Sequence, residues 1–396
     1  MRIRRVYNLK ADIHGEMVMM LDRRTIKAID KPFVITLLLI LIFGLTVLMS
    51  ASSAFSNPYQ YVERQLIWII IGMACVLLIL NLDHAHLERS SRIFYFLALV
   101  LLVVVLIFGK EIRGSQGWIS LGWVNLQVAE FAKILVILSF ADFLHKRQGM
   151  LQNFWEIVPC FLYVGVPFLL VLLQPDLGTA LAFIAIMMGM LFVAGANWRV
   201  LVGVLTVGLV GFLSLLYLHN HFGMWLPLED YQIKRLTVFV DPYNDGMGGR
   251  GAGWNTIQSL VAVGSGGLFG KGLFRGTQVQ LNFLPEQHTD FIFAVVGEEL
   301  GFVGGGLLLF LFGLLILRSI YIAYNAKDFF SMLVVIGIVS MWIFHVFENI
   351  GMSIGLMPIT GIPLPFVSYG GSFMLANMIA VGLILNINVK GRKIVF

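Results

Sequence analysis

The sequence predicts an all-α polytopic membrane protein of about ten transmembrane helices, with both termini cytoplasmic and one long extracytoplasmic loop between helices seven and eight. Composition points there first: 59% of the 396 residues are hydrophobic and 12% are charged, about half the charge of an ordinary soluble domain. Mean hydropathy is +0.88. The apolar residues are also gathered into runs of roughly 17 to 25, the length that crosses about 30 Å of hydrocarbon at about 1.5 Å per residue. Finally, Lys and Arg fall on alternate connections between those runs.

In chain order the runs lie near 33–52, 65–82, 91–108, 129–144, 157–174, 178–195, 199–218, 290–317, 330–357 and 367–388. The fourth, "AEFAKILVILSFADFL", is the weakest because it carries Glu130, Lys133 and Asp142. Positive residues in short loops and tails stay in the cytoplasm. The segment 1–32 holds eight of them, and with this tail inside, the cytoplasmic segments collect 18 Lys or Arg, ending with Lys390, Arg392 and Lys393 in a short basic tail, 390–396. The short outer loops hold only Arg64, Lys110 and Arg113. The organisation expected is therefore a basic tail (1–32), a membrane domain (33–389) and a second basic tail. The basic leader is about 30 residues long and the run after it is too long for the core of a cleavable signal peptide.

Cys75 and Cys160 both lie in apolar runs, which argues for packing and against a disulfide or a Cys-ligated metal. The net charge of +5 comes mostly from the cytoplasmic tails, where it suits anionic lipid headgroups; no nucleic-acid signature accompanies it.

One long polar interruption, 219–289, falls outside the membrane in this orientation. Within it "EDYQIKRLTVFVDP" and "NTIQSLVAVG" carry helix-spaced apolar residues (Ile233, Leu236 and Val240; Ile257, Leu260 and Val261) suited to lying on a membrane surface. Between 246 and 276 there are 11 glycines, where average usage gives about two. Glycine lets backbone N–H groups approach an anion. The pattern is not a nucleotide phosphate loop, because Ser265 stands at its first glycine position and Gly272 follows Lys271. On glycine content alone a flexible turn is the simpler reading.

An ionisable group within a membrane is costly and by default a functional candidate. Here such groups cluster on one side. Arg64 opens the second run from outside, Glu130 and Lys133 the fourth, and Asp290 the eighth; Asp176 closes the fifth outside, Glu348 falls in the outer half of the ninth, and "SYGGS" (368–372) opens the tenth. On a continuous helix Glu298 lies roughly 12 Å deeper than Asp290 and about 80° round, so it shares that cavity, while Glu299 needs another partner. Taken singly, each has a plainer explanation: Glu130 and Lys133 at i, i+3 neutralise one another, His288 begins a helix, and Thr289 caps it with Asp290 in the first turn. Together they suggest an anionic, membrane-embedded substrate approached from the outer leaflet.

"GTQVQLNFLPEQHTDFIFAVVGEELG", "QPDLGTA" and "NIGMSIGLMPITGIPLPFVSYGGS" resemble the SEDS family of RodA, FtsW and SpoVE over nearly the whole chain from about residue 33. "IQSLVAVGSGGLFGKG" followed by "GTQ" is more similar to the elongation branch. The resemblance implies a peptidoglycan glycosyltransferase that polymerises lipid II at the outer face of the cytoplasmic (inner) membrane during elongation and shape maintenance. The partners it implies are a class B penicillin-binding protein and elongation-complex proteins. The family's essential aspartate, in its H-T-D-F motif, falls on Asp290. That chemistry needs a carboxylate to take the proton of an attacking sugar hydroxyl, and cations to stabilise the leaving diphosphate. Asp290 suits the role of general base or of ligand to a divalent ion, Mg²⁺ or Mn²⁺. Lys133 and Arg64, with Lys271 or Arg275 from the loop, suit the diphosphate; Glu130, His288 and Glu298 (with Glu286) are supporting candidates. Where the family commonly has P-S-E, this chain has "VAE" (128–130), keeping Glu130 alone. A lipid II flippase would instead line a path through the midplane, with inverted repeats. A non-catalytic scaffold for cell-wall enzymes would leave Asp290 free to vary.

Overall fold

The computed structural model describes residues 28–390 apart from 113, 121, 123 and 225–229. Most of both expected basic tails (1–27 and 391–396) and Arg113 lie outside the described residues.

Long helices occupy all ten expected runs: α1 (Lys31–Ala51), α2 (Pro58–Asn81), α4 (Ser91–Phe108), α5 (Val128–His145), α6 (Phe154–Leu172), α7 (Leu177–Val193), α8 (Trp198–Phe222), α12 (Ile292–Tyr324), α13 (Phe329–Ser353) and α14 (Gly371–Lys390), with a short α3 (His84–Arg89) before α4. The chain is a multi-pass helical membrane protein. Eight of these helices are long and apolar enough to cross a bilayer; α7 has only 17 residues, and α5 contains Glu130, Lys133 and Asp142. The starts follow from local chemistry. Asp30 accepts the Phe33 N–H at 2.9 Å, Asp176 accepts that of Thr179 at 3.0 Å, and Asp328 accepts that of Ser331 at 2.8 Å, each satisfying an orphan donor of a first turn.

In lipid, apolar burial alone does not drive helices together, so close packing relies on small residues and interhelical hydrogen bonds. The α2–α14 pair uses both. A Cβ on Gly72 would lie 2.6 Å from Met378 Cγ, and one on Gly382 3.0 Å from Ile79 Cδ1. Asn386 of α14 donates to the Ile79 and Leu82 carbonyls at the end of α2. Gln65 of α2 donates to the Ser368 carbonyl and accepts the Gly370 N–H.

An element that hydropathy did not foresee lies between α4 and α5. Strands β1 (Lys110–Ile112), β2 (Ser115–Ser120) and β3 (Asn125–Gln127) form an antiparallel sheet, with Lys110 opposite Trp118 and Trp118 opposite Gln127. Strand β3 runs straight into α5 and is tied to the start of α14 by the Gln127 N–H donating to Ser372 Oγ. The sheet thereby sets where Glu130 and Lys133 enter.

The long loop contains α9 (Asp230–Val240), α10 (Trp254–Gly266) and the single-turn α11 (Thr277–Gln280). Both expected loop helices form, but neither simply lies on a surface. In α10 the residues turned inward are Thr256, Ser259, Ala262 and Gly266, while Leu260 and Val261 are exposed. Small residues let α10 press against α12, while Leu260 and Val261 face outward, so the pattern is inverted relative to a surface helix. The glycine-rich segment then threads into a break in α12. At Gly301 the backbone turns to φ 64°, ψ −162°, a conformation open essentially to glycine alone. The peptide groups freed there pair with the threaded segment: Lys271 and Gly272 donate to the Glu298 and Glu299 carbonyls at 3.0 and 2.9 Å, and Phe302 and Val303 donate to those of Gly267 and Leu268 at 2.9 and 3.0 Å. Within hydrocarbon an irregular backbone persists only when its polar groups are satisfied in this way. The segment that glycine content alone marks as a flexible turn is a fitted plug.

Candidate active site

A cavity of about 650 Å³ opens among the ends of α2, the sheet, α5, α7, α9, α13 and α14 and the 289–290 and 358–363 segments. Each helix that spans the membrane meets it at or near the end that the Lys and Arg distribution assigns to the outer face. Its floor is formed by Glu130 and Lys133 of α5 with His345 of α13, and its rim by Arg64 and Trp68 of α2, Asp176, Asp290 and the α9 residues Tyr231, Gln232 and Arg235.

Asp290 is held through its backbone rather than by a helix. Asn349 Nδ2 donates to the Asp290 carbonyl at 2.7 Å and to that of Ile362 at 2.8 Å. Ser368 Oγ donates to the Thr289 carbonyl at 2.6 Å, and the Tyr369 N–H to that of His288 at 2.9 Å. The 288–290 stretch is thus clamped against α13 and the S-Y-G-G-S turn, both far away in sequence. Helix α12 starts only at Ile292, with Phe291 at its cap. Thr289 is therefore not the expected N-cap: its hydroxyl donates to Glu286 Oε2 at 3.0 Å. Helical spacing counted from Asp290 does not apply either, which is why Glu298 falls elsewhere than expected.

Of the expected site residues, the structure brings Arg64, Glu130, Lys133 and Asp290 to one cavity. Lys133, 1% exposed, places Nζ 2.9 Å from Glu130 Oε1. The others are spent differently. Glu298, fully buried, accepts from Lys271 Nζ at 2.7 Å, the Thr277 hydroxyl at 3.0 Å and the Gln278 N–H at 3.0 Å. It neither shares Asp290's cavity nor leaves Lys271 to reach it. Glu299 instead accepts the Gly276 N–H. Arg275 is exposed beside this plug and outside the lining. His288 packs edge-on to Phe55 and Tyr61, with centroids 5.3 and 5.0 Å away, and beside Tyr369. It buttresses the segment that carries Asp290.

Sequence reasoning missed three contributors. Helix α9 roofs the cavity: Tyr231 Oη and Gln232 Nε2 donate to the Pro175 carbonyl, and Arg235 Nη1 to that of Ile359. A Cβ on Gly361 would lie 3.4 Å from Asp290 Oδ2 and 3.9 Å from Arg235 Nη1, so the carboxylate and this guanidinium both border Gly361 in the cavity wall. Its signal in the sequence was a cation within an otherwise amphipathic helix. His345 sits inside "MWIFHVFENIG", where a lone histidine in an apolar run was the available sign. The third, Asn349, follows Glu348 in the same helix, and Glu348 accepts the Thr360 hydroxyl to hold the 358–363 wall.

A sequence profile of the FtsW/RodA/SpoVE family, described as cell cycle protein, matches residues 30–393. The chain belongs to this family. It is 40% identical over 371 residues to Stage V sporulation protein E of Bacillus subtilis (strain 168), covering 92% of this chain and 98% of that protein. Peptidoglycan glycosyltransferase MrdB of Escherichia coli (strain K12) is 38% identical over 366 residues, covering 92% and 95%. A chain of a solved peptidoglycan synthase complex, described as coordinating polymerization and crosslinking, superposes with a TM-score of 0.74 at 32% identity, over 91% of this chain and 97% of that one. Family membership thus rests on the whole membrane domain.

Proposed function

We propose that this FtsW/RodA/SpoVE family member is a peptidoglycan glycosyltransferase of the inner membrane that polymerises lipid II into glycan strands at its outer face. The carrying observation is the outward cavity that brings the carboxylate of Asp290, beside that of Asp176 on the rim, together with three cations, Arg64, Lys133 and Arg235. Asp290 takes the proton from the attacking sugar hydroxyl of the acceptor as it bonds to the donor's anomeric carbon. The bond from that carbon to the diphosphate breaks with its electron pair going to the leaving oxygen, whose charge the cations stabilise. Lys133, which is buried and held by Glu130, needs little reorganisation as charge develops.

No group of three or more His, Cys, Asp or Glu side chains gathers in metal-binding fashion among the described residues. Asp290 would hold a divalent ion, Mg²⁺ or Mn²⁺, in the way such ions bind one carboxylate together with substrate phosphate oxygens; bound so, it would add charge neutralisation at the diphosphate.

Similarity to the synthase-complex chain supports a class B penicillin-binding protein as partner, with elongation-complex proteins beyond it. The motif likeness to the elongation branch supports a role in elongation and shape; identities of 40% to a sporulation protein and 38% to MrdB do not rank those roles. The test is incubation of purified protein with labelled lipid II and Mg²⁺ or Mn²⁺, with and without the partner, beside Asp290→Ala. A glycan ladder lost in the variant is the expected result. Wild-type polymer from Asp290→Ala would refute the assignment of Asp290. Transbilayer movement of lipid II without polymer would favour a flippase, and neither activity a scaffold.

A further inference from the structure

The floor of the cavity contains a histidine that packing does not explain. His345 is 1% exposed, and its Nε2 lies 3.0 Å from Lys133 Nζ, which also contacts Glu130 Oε1 at 2.9 Å. An ammonium only donates, so Nε2 is the acceptor and the ring proton sits on Nδ1. Nδ1 is buried and finds no hydrogen-bond partner in the structure. A buried donor left unpaired is costly, and a leucine or phenylalanine would fill this site without that cost. The compensation is on the other nitrogen. Glu130 and Lys133 at i, i+3 would by themselves close into a private ion pair, with the carboxylate drawing the ammonium onto α5. The imidazole, reaching across from α13, takes a second N–H. Two of the three donors of Nζ are thereby fixed, and one is left for an anionic oxygen in the cavity that all three residues line.

We propose that His345 is a positioning residue, whose neutral imidazole holds the Lys133 ammonium between α5 and α13 so that its remaining N–H serves a diphosphate oxygen of the substrate. This inference rests on the glycosyltransferase reading above for its substrate class. It follows that what matters at position 345 is an acceptor at the Nε2 position, not an imidazole as such.

The experiment uses the full-length protein and two readouts: steady-state polymerisation of lipid II, and affinity for undecaprenyl diphosphate in detergent micelles. His345→Leu removes the acceptor at similar bulk and lowers both kcat/KM and diphosphate affinity on the order of tenfold, the scale of one charge-assisted hydrogen bond. His345→Gln, whose amide oxygen can accept, stays within about threefold of wild type. Lys133→Met combined with His345→Leu is no weaker than Lys133→Met alone, because the second change acts only through the first. Affinity within twofold of wild type in His345→Leu, a loss in His345→Gln as deep as in His345→Leu, or multiplying losses in the double variant each overturn the proposal. Should His345→Leu not fold, the Gln variant and its combination with Lys133→Met decide by the same criteria. Absence of polymer from wild type would count against the glycosyltransferase reading alone, since the diphosphate-affinity comparison still tests His345.

Discussion

Replacing Gly301 by alanine tests whether the glycine-rich segment is a structural plug. At φ 64°, ψ −162° a side chain is strained by about 1–3 kcal/mol. Its Cβ would also lie 2.7 Å from the Leu268 carbonyl carbon and oxygen, backbone atoms that cannot simply rotate away. Relief requires the 267–272 segment to withdraw, giving up four backbone hydrogen bonds, each worth a net contribution of about 1 kcal/mol. Partial withdrawal and residual strain together give a loss of about 3–6 kcal/mol. Reversible unfolding in mixed micelles titrated with a denaturing detergent measures it. Gly306→Ala, in the same helix but with open space around the added methyl, is the control and leaves stability unchanged or raises it by up to about 1 kcal/mol. If Gly301→Ala stays within about 1 kcal/mol of wild type, the account of the break is wrong.

Arg235→Ala lowers kcat/KM for lipid II on the order of tenfold, and Arg235→Lys recovers only part of it, because a point charge cannot hold the Ile359 carbonyl and face Asp290 as a planar fork does; steady-state polymerisation kinetics measure both. Asp245 accepts backbone N–H groups of Met247, Gly249, Gly251 and Gly253, and these hold its carboxyl down at about 2. Since that folded value lies below the ordinary one of about 3.9, its contribution is complete above about pH 4 and is lost as pH falls towards 2. Limited proteolysis of the 242–253 turn accordingly accelerates between pH 4 and 2 in the wild type. In Asp245→Asn it is already fast at neutral pH and shows no such acid step.

Much of the fold was legible because a bilayer imposes a one-dimensional code. Hydropathy located all ten long helices, eight of them to within four residues at each end, while α2 starts about seven residues earlier and α12 ends about seven later than expected; the Lys and Arg bias supplied the expected outward ends. That Asp290, Arg64, Glu130 and Lys133 gather at one end of the helix bundle was therefore readable. The sheet at 110–127 was not, since strands of three to six residues leave no hydropathy signal against their neighbours. The break at Gly301 was hidden for a similar reason: "EELGFVGGG" averages as continuous apolar helix, and a window average carries no backbone angle. Losing the break misplaced Lys271 and Glu298, whose pairing depends on the plug it admits.

By itself, then, the sequence determined the solvent, the number and order of long helices, and the charged residues too costly to be there by accident. Tertiary structure alone decided which of those charges share a cavity. Lys133 and His345 are 212 positions apart, and the partners that clamp the 289–290 backbone lie 59 and 79 positions away. Local pattern records the energetic cost of a polar group in its own helix. It holds no distance between helices, and that distance is what turns a buried cation into a binding site or into half of a structural ion pair.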